Sequence, residues 1–253
     1  PNQPFRGTSC VACSALEDSA NLYSGDGAEC VECGAGSEVD TARGACTLCG
    51  YGQFSPDGSV CAVCAAGSQP HDPAGGTAPP TDGGADGCDK CVLVGVATIS
   101  AGGVKCEACA LATEPNADRT VCEDCATRGD GHYRGPDSGG SCQVCGAGTE
   151  PNTDRTSCGS CAAGYAGSEG TCAVCADGTT PNAAQTACQR CSDGHIGTAG
   201  LCTVCAAGSE PNGDQTVCTD CATGFAGTGG ACAQCGAGSE PTGDQTSCVA
   251  CAS

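Results

Sequence analysis

The chain has 253 residues with a formal net charge of −20, 30 cysteines, 42 glycines and neither methionine nor tryptophan. Leu, Ile, Val and Phe together make up about a tenth of it, well under the fifth or so that a highly charged chain needs to fold around an apolar core. An α/β enzyme, a helical bundle and a membrane-spanning protein are excluded as expectations, and the order has to come from sulfur or metal.

All 30 cysteines fall in Cys-x-x-Cys pairs, and the intervals between pairs alternate between two kinds of loop from end to end. Residues 1–141 keep this alternation irregularly. The segment 65–87, rich in Pro and Gly, swells one loop of the longer kind to 23 residues. Pairing resumes in phase after it, so it reads as a surface excursion or local linker rather than a domain boundary. The longest apolar run, VLVGVATIS from Val92 to Ser100, is shorter than the roughly 20 residues a spanning helix needs. Arg128-Gly129-Asp130 has the form of an adhesion tripeptide, although chance explains it better in a chain this rich in Gly and Asp.

From Cys142 onward, residues 142–253 form regular repeats with a period of 30, first cysteines falling at 142, 172, 202 and 232. The twelve-residue loops read GAGTEPNTDRTS, ADGTTPNAAQTA, AAGSEPNGDQTV and GAGSEPTGDQTS. Pro sets φ for a turn and Asn or Asp bonds the backbone nearby, so each predicts a short extended segment, a turn and a return. The ten-residue loops carry one ring each, Tyr165, His195 and Phe225, between glycines. Each ring is expected to pack over a disulfide, the alternative being a solvent-facing ring on a loop. No window has helical periodicity, and strands of two to four residues are expected. The repeat decides the architecture: small disulfide-rich modules in an elongated, irregular, β-poor solenoid or rod.

Three chemistries use Cys-x-x-Cys. A disulfide ladder fits the even count, each bridge closing a loop of about 15 residues and contributing about 3 kcal/mol in the chain-entropy model. Zinc in four-cysteine sites, or a metal-thiolate cluster, is the second; the spacing between pairs is short for it, and basic residues are few. Thiol exchange needs a helix N-terminus and a βαβ pattern that the sequence does not offer. Connectivity is not fixed by spacing. The economical pairing joins first to first and second to second across each twelve-residue loop: Cys142–Cys158, Cys145–Cys161, Cys172–Cys188, Cys175–Cys191, Cys202–Cys218, Cys205–Cys221, Cys232–Cys248 and Cys235–Cys251. It leaves Cys10 and Cys13 to pair with each other or with residues upstream.

Nine basic residues against 29 acidic ones leave no stripe for phosphates, so nucleic acid is not an expected partner. His71, His132 and His195 are far apart and suggest no catalytic arrangement; no enzymatic activity, cofactor or metal is expected. No Asn stands in an N-glycosylation signal, while Thr77, Thr81 and Thr180 are candidate O-glycan acceptors beside Pro or in the Pro-Gly insert.

The alternation of Cys-x-x-Cys, AGSEPNxDQT, Cys-x-x-Cys and a Gly-ring loop resembles growth-factor-receptor-type cysteine-rich repeats, in particular those of protist surface proteins such as the immobilization antigens of ciliates. The resemblance covers Cys10 to Cys251 and implies an extracellular, disulfide-stapled rod at the cell surface without enzymatic activity. The expected function is structural: a secreted or cell-surface coat or filament. Its partners would be other copies, extracellular proteins or glycans, with no membrane insertion by this segment. An adhesive or ligand-binding ectodomain or surface antigen is the alternative, and a metal-thiolate store the remote one.

Overall fold

The computed structural model describes residues 5–6, 9–10, 12–16, 19–27 and 29–252. Among them, strands are two to four residues long and pair into two-stranded antiparallel hairpins, with one isolated parallel bridge between Phe54 and Ala85. Helix is confined to the turn Cys91–Val94 and to three short 3-10 segments. The chain divides into two units, Pro1–Thr127 with Pro136–Cys142, and Arg128–Gly135 with Gln143–Ser253.

In the second unit every loop of either length becomes one hairpin. Twelve-residue loops pair Thr149–Pro151 with Cys158–Ser160, Thr179–Pro181 with Cys188–Arg190, Ser209–Pro211 with Cys218–Asp220 and Ser239–Pro241 with Cys248–Ala250. Pro ends the first strand each time, where it can set the turn without costing an interior ladder bond. Asn then closes the turn: Asn152, Asn182 and Asn212 accept at Oδ1 from the amides of Thr156, Thr186 and Thr216 at 2.8–2.9 Å. In the last copy Thr242 Oγ1 accepts instead, from the Ser247 amide at 3.2 Å.

Ten-residue loops pair Tyr165–Ala166 with Ala173–Val174, His195–Thr198 with Leu201–Val204, and Phe225–Thr228 with Ala231–Gln234. The latter two turn through Ala199-Gly200 and Gly229-Gly230, all four residues at positive φ. That is the two-residue turn whose twist matches paired strands. Tyr165 is 39% exposed while His195 and Phe225 are half-buried, and the buried side chains of these hairpins are Ala166 and Ala226.

The disulfides correct the expected pairing. The second cysteine of each pair bonds the first cysteine of the next, giving Cys145–Cys158, Cys161–Cys172, Cys175–Cys188, Cys191–Cys202, Cys205–Cys218, Cys221–Cys232 and Cys235–Cys248. None of the bonds Cys142–Cys158, Cys145–Cys161, Cys172–Cys188, Cys175–Cys191, Cys202–Cys218, Cys205–Cys221, Cys232–Cys248 or Cys235–Cys251 forms, and Cys142 bonds Cys125. The reason is local. The two residues between paired cysteines lie in strands, and side chains three apart on a strand point to opposite faces. One half-cystine therefore serves the loop before it and the other the loop after. Cys13 follows the same rule with Cys30; the side chain of Cys10 lies outside the described residues, and Cys251 is free and exposed.

The first unit repeats the scheme with less regular loops: Cys33–Cys46 and Cys109–Cys122 again span 13 positions, whereas Cys64–Cys88 spans 24 and Cys91–Cys106 spans 15. Its acidic or amide side chains add ties between modules: Glu38, Gln69 and Glu114 accept from the amides of Cys61, Cys106 and Cys142, each at 2.8 Å. The insertion is less of an excursion than its composition implies. Ala85 is wholly buried, its carbonyl accepts from the Ser55 amide at 3.0 Å, and the Gly84 amide donates to the Cys49 carbonyl at 3.0 Å. Residues 83–85 thus return to the module before them and Pro79 is buried, leaving residues 73–78 and 81–82 exposed.

The core that results is sulfur and backbone. Apart from half-cystines, the buried apolar side chains among the described residues are alanines and prolines, and the largest fully buried side chains are Gln69 and Pro70.

Candidate functional site

The chemistry that recurs in every twelve-residue loop is a clasp between neighbouring loops, centred on one residue of its turn. Arg155, Gln185, Gln215 and Gln245 occupy it in the second unit, Arg43 and Arg119 in the first. All six hold φ between 53° and 57°. This left-handed conformation costs a residue with a Cβ roughly 1–2 kcal/mol.

The side chain and the carbonyl of that residue both reach back to the preceding loop. Gln185 Nε2 donates to the carbonyls of Cys161 at 2.7 Å and Ala162 at 3.1 Å, and Gln245 Nε2 to that of Cys221 at 2.7 Å. Gln215 Nε2 donates to the Ser192 carbonyl at 3.1 Å while its Oε1 accepts from Arg190 Nε at 3.2 Å. Arg155 Nη1 donates to the carbonyls of Asp130 and His132, each at 2.9 Å. In return, the carbonyls of Arg155, Gln185, Gln215 and Gln245 accept from the amides of Arg134, Gly167, Gly197 and Gly227 at 2.8–2.9 Å.

The relay continues through Gly167, Gly197 and Gly227, whose carbonyls accept from the amides of Gly148, Gly178 and Gly208. At Gly178 a Cβ would collide with the Asp214 carbonyl of the next turn. Neighbouring repeats therefore approach backbone to backbone, which only glycine allows at that point.

The sequence showed the phrase Asp-Gln-Thr or Asp-Arg-Thr but not its purpose. The one visible signal is that the middle position is always Arg or Gln, a long donor, where an ordinary turn would favour Gly or Asn.

The other candidate residues are not gathered around the clasp. Thr77 and Thr81 are exposed and border an open hollow of about 560 Å³ within the insert, while Thr180 sits in a strand opposite Gln189. Asp130 of the Arg-Gly-Asp run has a side chain 94% exposed. The three histidines lie in three separate hairpins. His195 Nδ1 is 2.9 Å from the Asp193 carbonyl, and His132 Nδ1 is buried with no hydrogen-bond partner among the described residues. With 28 cysteines in disulfides, those sulfurs offer no thiolate to a metal, and among the described residues no group of three or more His, Cys, Asp or Glu could hold one.

His71 has a defined partner. Its Nδ1 is 2.9 Å from Asp89 Oδ2 at the base of the insert, and this hydrogen bond, helped by the charges of Asp89, Asp86 and Asp72 against some desolvation, raises its pKa. A raised pKa means that the folded state binds the proton more tightly. The contribution to stability is therefore complete below the unfolded value of about 6.5 and fades as pH rises through the folded one. Both side chains are partly exposed, so the effect is small and salt-sensitive. An NMR titration should find the His71 midpoint above the ordinary imidazole value, falling back in Asp89→Asn; an unshifted midpoint in the native protein would contradict the pairing.

No helix among the described residues is long and apolar enough to cross a membrane. No protein-family model matches the chain, and no curated protein matches it.

Proposed function

We propose that the chain is an extracellular structural protein, an extended array of disulfide-stapled modules that builds a surface coat or filament. The observation that carries this reading is that, among the described residues, the disulfides and clasps join neighbouring repeats. Each disulfide in residues 13–248 closes the loop between two consecutive pairs, and each clasp ties one turn to the loop before it. Such an array lengthens by adding modules without needing a larger core. The abundance of disulfides supports an oxidising compartment, hence secretion or display at the cell surface. Likeness to protist surface antigens and growth-factor-receptor-type repeats belongs to the same proposal, as do O-glycans on Thr77, Thr81 and Thr180.

Negative-stain electron microscopy of the oxidised chain tests it. Filaments or ordered arrays of elongated particles are expected; compact globules at every concentration would defeat the reading.

A further inference from the structure

Residues 88–106 differ from the rest of the surface. The only two lysines of the chain, Lys90 and Lys105, lie here, each immediately before one half of the Cys91–Cys106 disulfide, whose Cα atoms are 5.5 Å apart. Both are exposed. Beside them Val92, Leu93 and Val96 are 47%, 78% and 66% exposed.

This apolar turn is held firmly. Thr98 Oγ1 lies 2.7 Å from the Cys91 carbonyl oxygen and 3.0 Å from that of Gly95. The Arg119 guanidinium donates to the carbonyls of Gly95, Val96 and Thr98, all at 3.1 Å. A clasp is thus spent on presenting three branched aliphatic side chains to solvent. Exposed apolar side chains on a pinned backbone mark interaction sites more than stray surface residues do, because little backbone ordering entropy remains to be lost on docking.

The complementary surface is on the same chain. Residues 143–253 hold ten carboxylates against Arg155 and Arg190 alone, and both guanidinium groups are occupied by backbone carbonyls. There Val144, Val174 and Val204 recur at the same place in successive Cys-x-Val-Cys pairs, 48%, 49% and 54% exposed.

We propose that the knob formed by Lys90, Lys105, Val92, Leu93 and Val96 docks on the acidic, valine-bearing surface of residues 143–253 in a second copy of this chain. Opposite charges meet and apolar side chains are covered on both sides. The two patches differ, so the contact is heterologous and leaves one of each free on every dimer, which propagates into open assemblies unless the rotation closes a ring. This inference rests on the filament reading and names the contact that overcomes the repulsion between acidic chains.

Sedimentation velocity of the full oxidised chain tests it, at about 0.02 M and about 0.5 M salt, between which the screening length falls from roughly 20 to 4 Å. The native chain should associate with rising concentration, less at high salt. Lys90→Glu with Lys105→Glu, and separately Leu93→Ser with Val96→Ser, should each weaken association at least about tenfold, a loss of about 1.4 kcal/mol. An unchanged non-reducing peptide map would show both variants correctly bridged. Assemblies indifferent to both variants would overturn the docking and leave the filament reading standing. A native chain that never associates would remove both. Binding to phosphatidylcholine vesicles by a chain that stays monomeric without them would assign the knob to a lipid surface and overturn the proposal.

Discussion

Replacing Cys205 and Cys218 together by serine is expected to cost about 3 kcal/mol, the chain entropy of a closed loop of this length, and to lose it in one place. The bridge spans 13 positions and encloses no other half-cystine. Its removal should free the hairpin Ser209–Pro211 with Cys218–Asp220 to open, with its amides exchanging orders of magnitude faster. The hairpins at Thr179–Pro181 and Ser239–Pro241 keep their own bridges, Cys175–Cys188 and Cys235–Cys248, and should keep their protection. A ladder of overlapping bonds would behave differently, because each loop would be closed twice and the damage would spread. Hydrogen exchange read by mass spectrometry on the oxidised variant distinguishes these outcomes, and loss of protection across all four twelve-residue hairpins would refute a structure made of independent staples.

This contrast also shows how far the sequence could be read. Phase, loop alternation, short strands and the Pro-Asn turn were legible because each rests on local chemistry, as Asn152 and Asn212 illustrate. The pairing was not. Bonding Cys218 to Cys205 or to Cys202 closes loops of 13 or 16 positions, a difference of only about 0.2 kcal/mol in closure entropy. What decides is which face of the strand each sulfur leaves from, and spacing does not reveal that until strand and turn are placed. The insert misled for a related reason: Pro and Gly describe its exposed tip, whereas Ala85, a residue with no distinguishing chemistry, carries the contact that folds it back. The clasp was hidden more deeply. A Gln beside Asp and Thr reads as a solvated turn residue, and only its positive φ and its donors show that it holds two loops together.

The clasp makes an unusual prediction, because glycine should be tolerated better than alanine. Gln215 is 8% exposed, with both ends of its amide bonded. Truncation to alanine removes two hydrogen bonds of about 0.5–1.5 kcal/mol each and keeps the left-handed backbone at φ 57°. The expected loss is about 1–3 kcal/mol. Glycine removes the same bonds but relieves the roughly 1–2 kcal/mol of strain, offset by about 0.5–1 kcal/mol of extra chain entropy. Gln215→Gly should therefore be the milder change by roughly 0.5–1 kcal/mol, the reverse of the order in a helix or strand. Arginine, which fills the role at 119 and 155, should not substitute here, because Gln215 Oε1 accepts from Arg190 Nε and a guanidinium has no acceptor to offer in its place. The Gly197 amide, which donates to the Gln215 carbonyl at 2.8 Å, is the reporter: its exchange should quicken most in the alanine variant and less in the glycine variant. If alanine and glycine exchange alike, the backbone is not strained there. If neither differs from the native chain, the side chain contributes nothing to joining the repeats, and the disulfides alone hold each loop while the backbone relay sets how the loops meet.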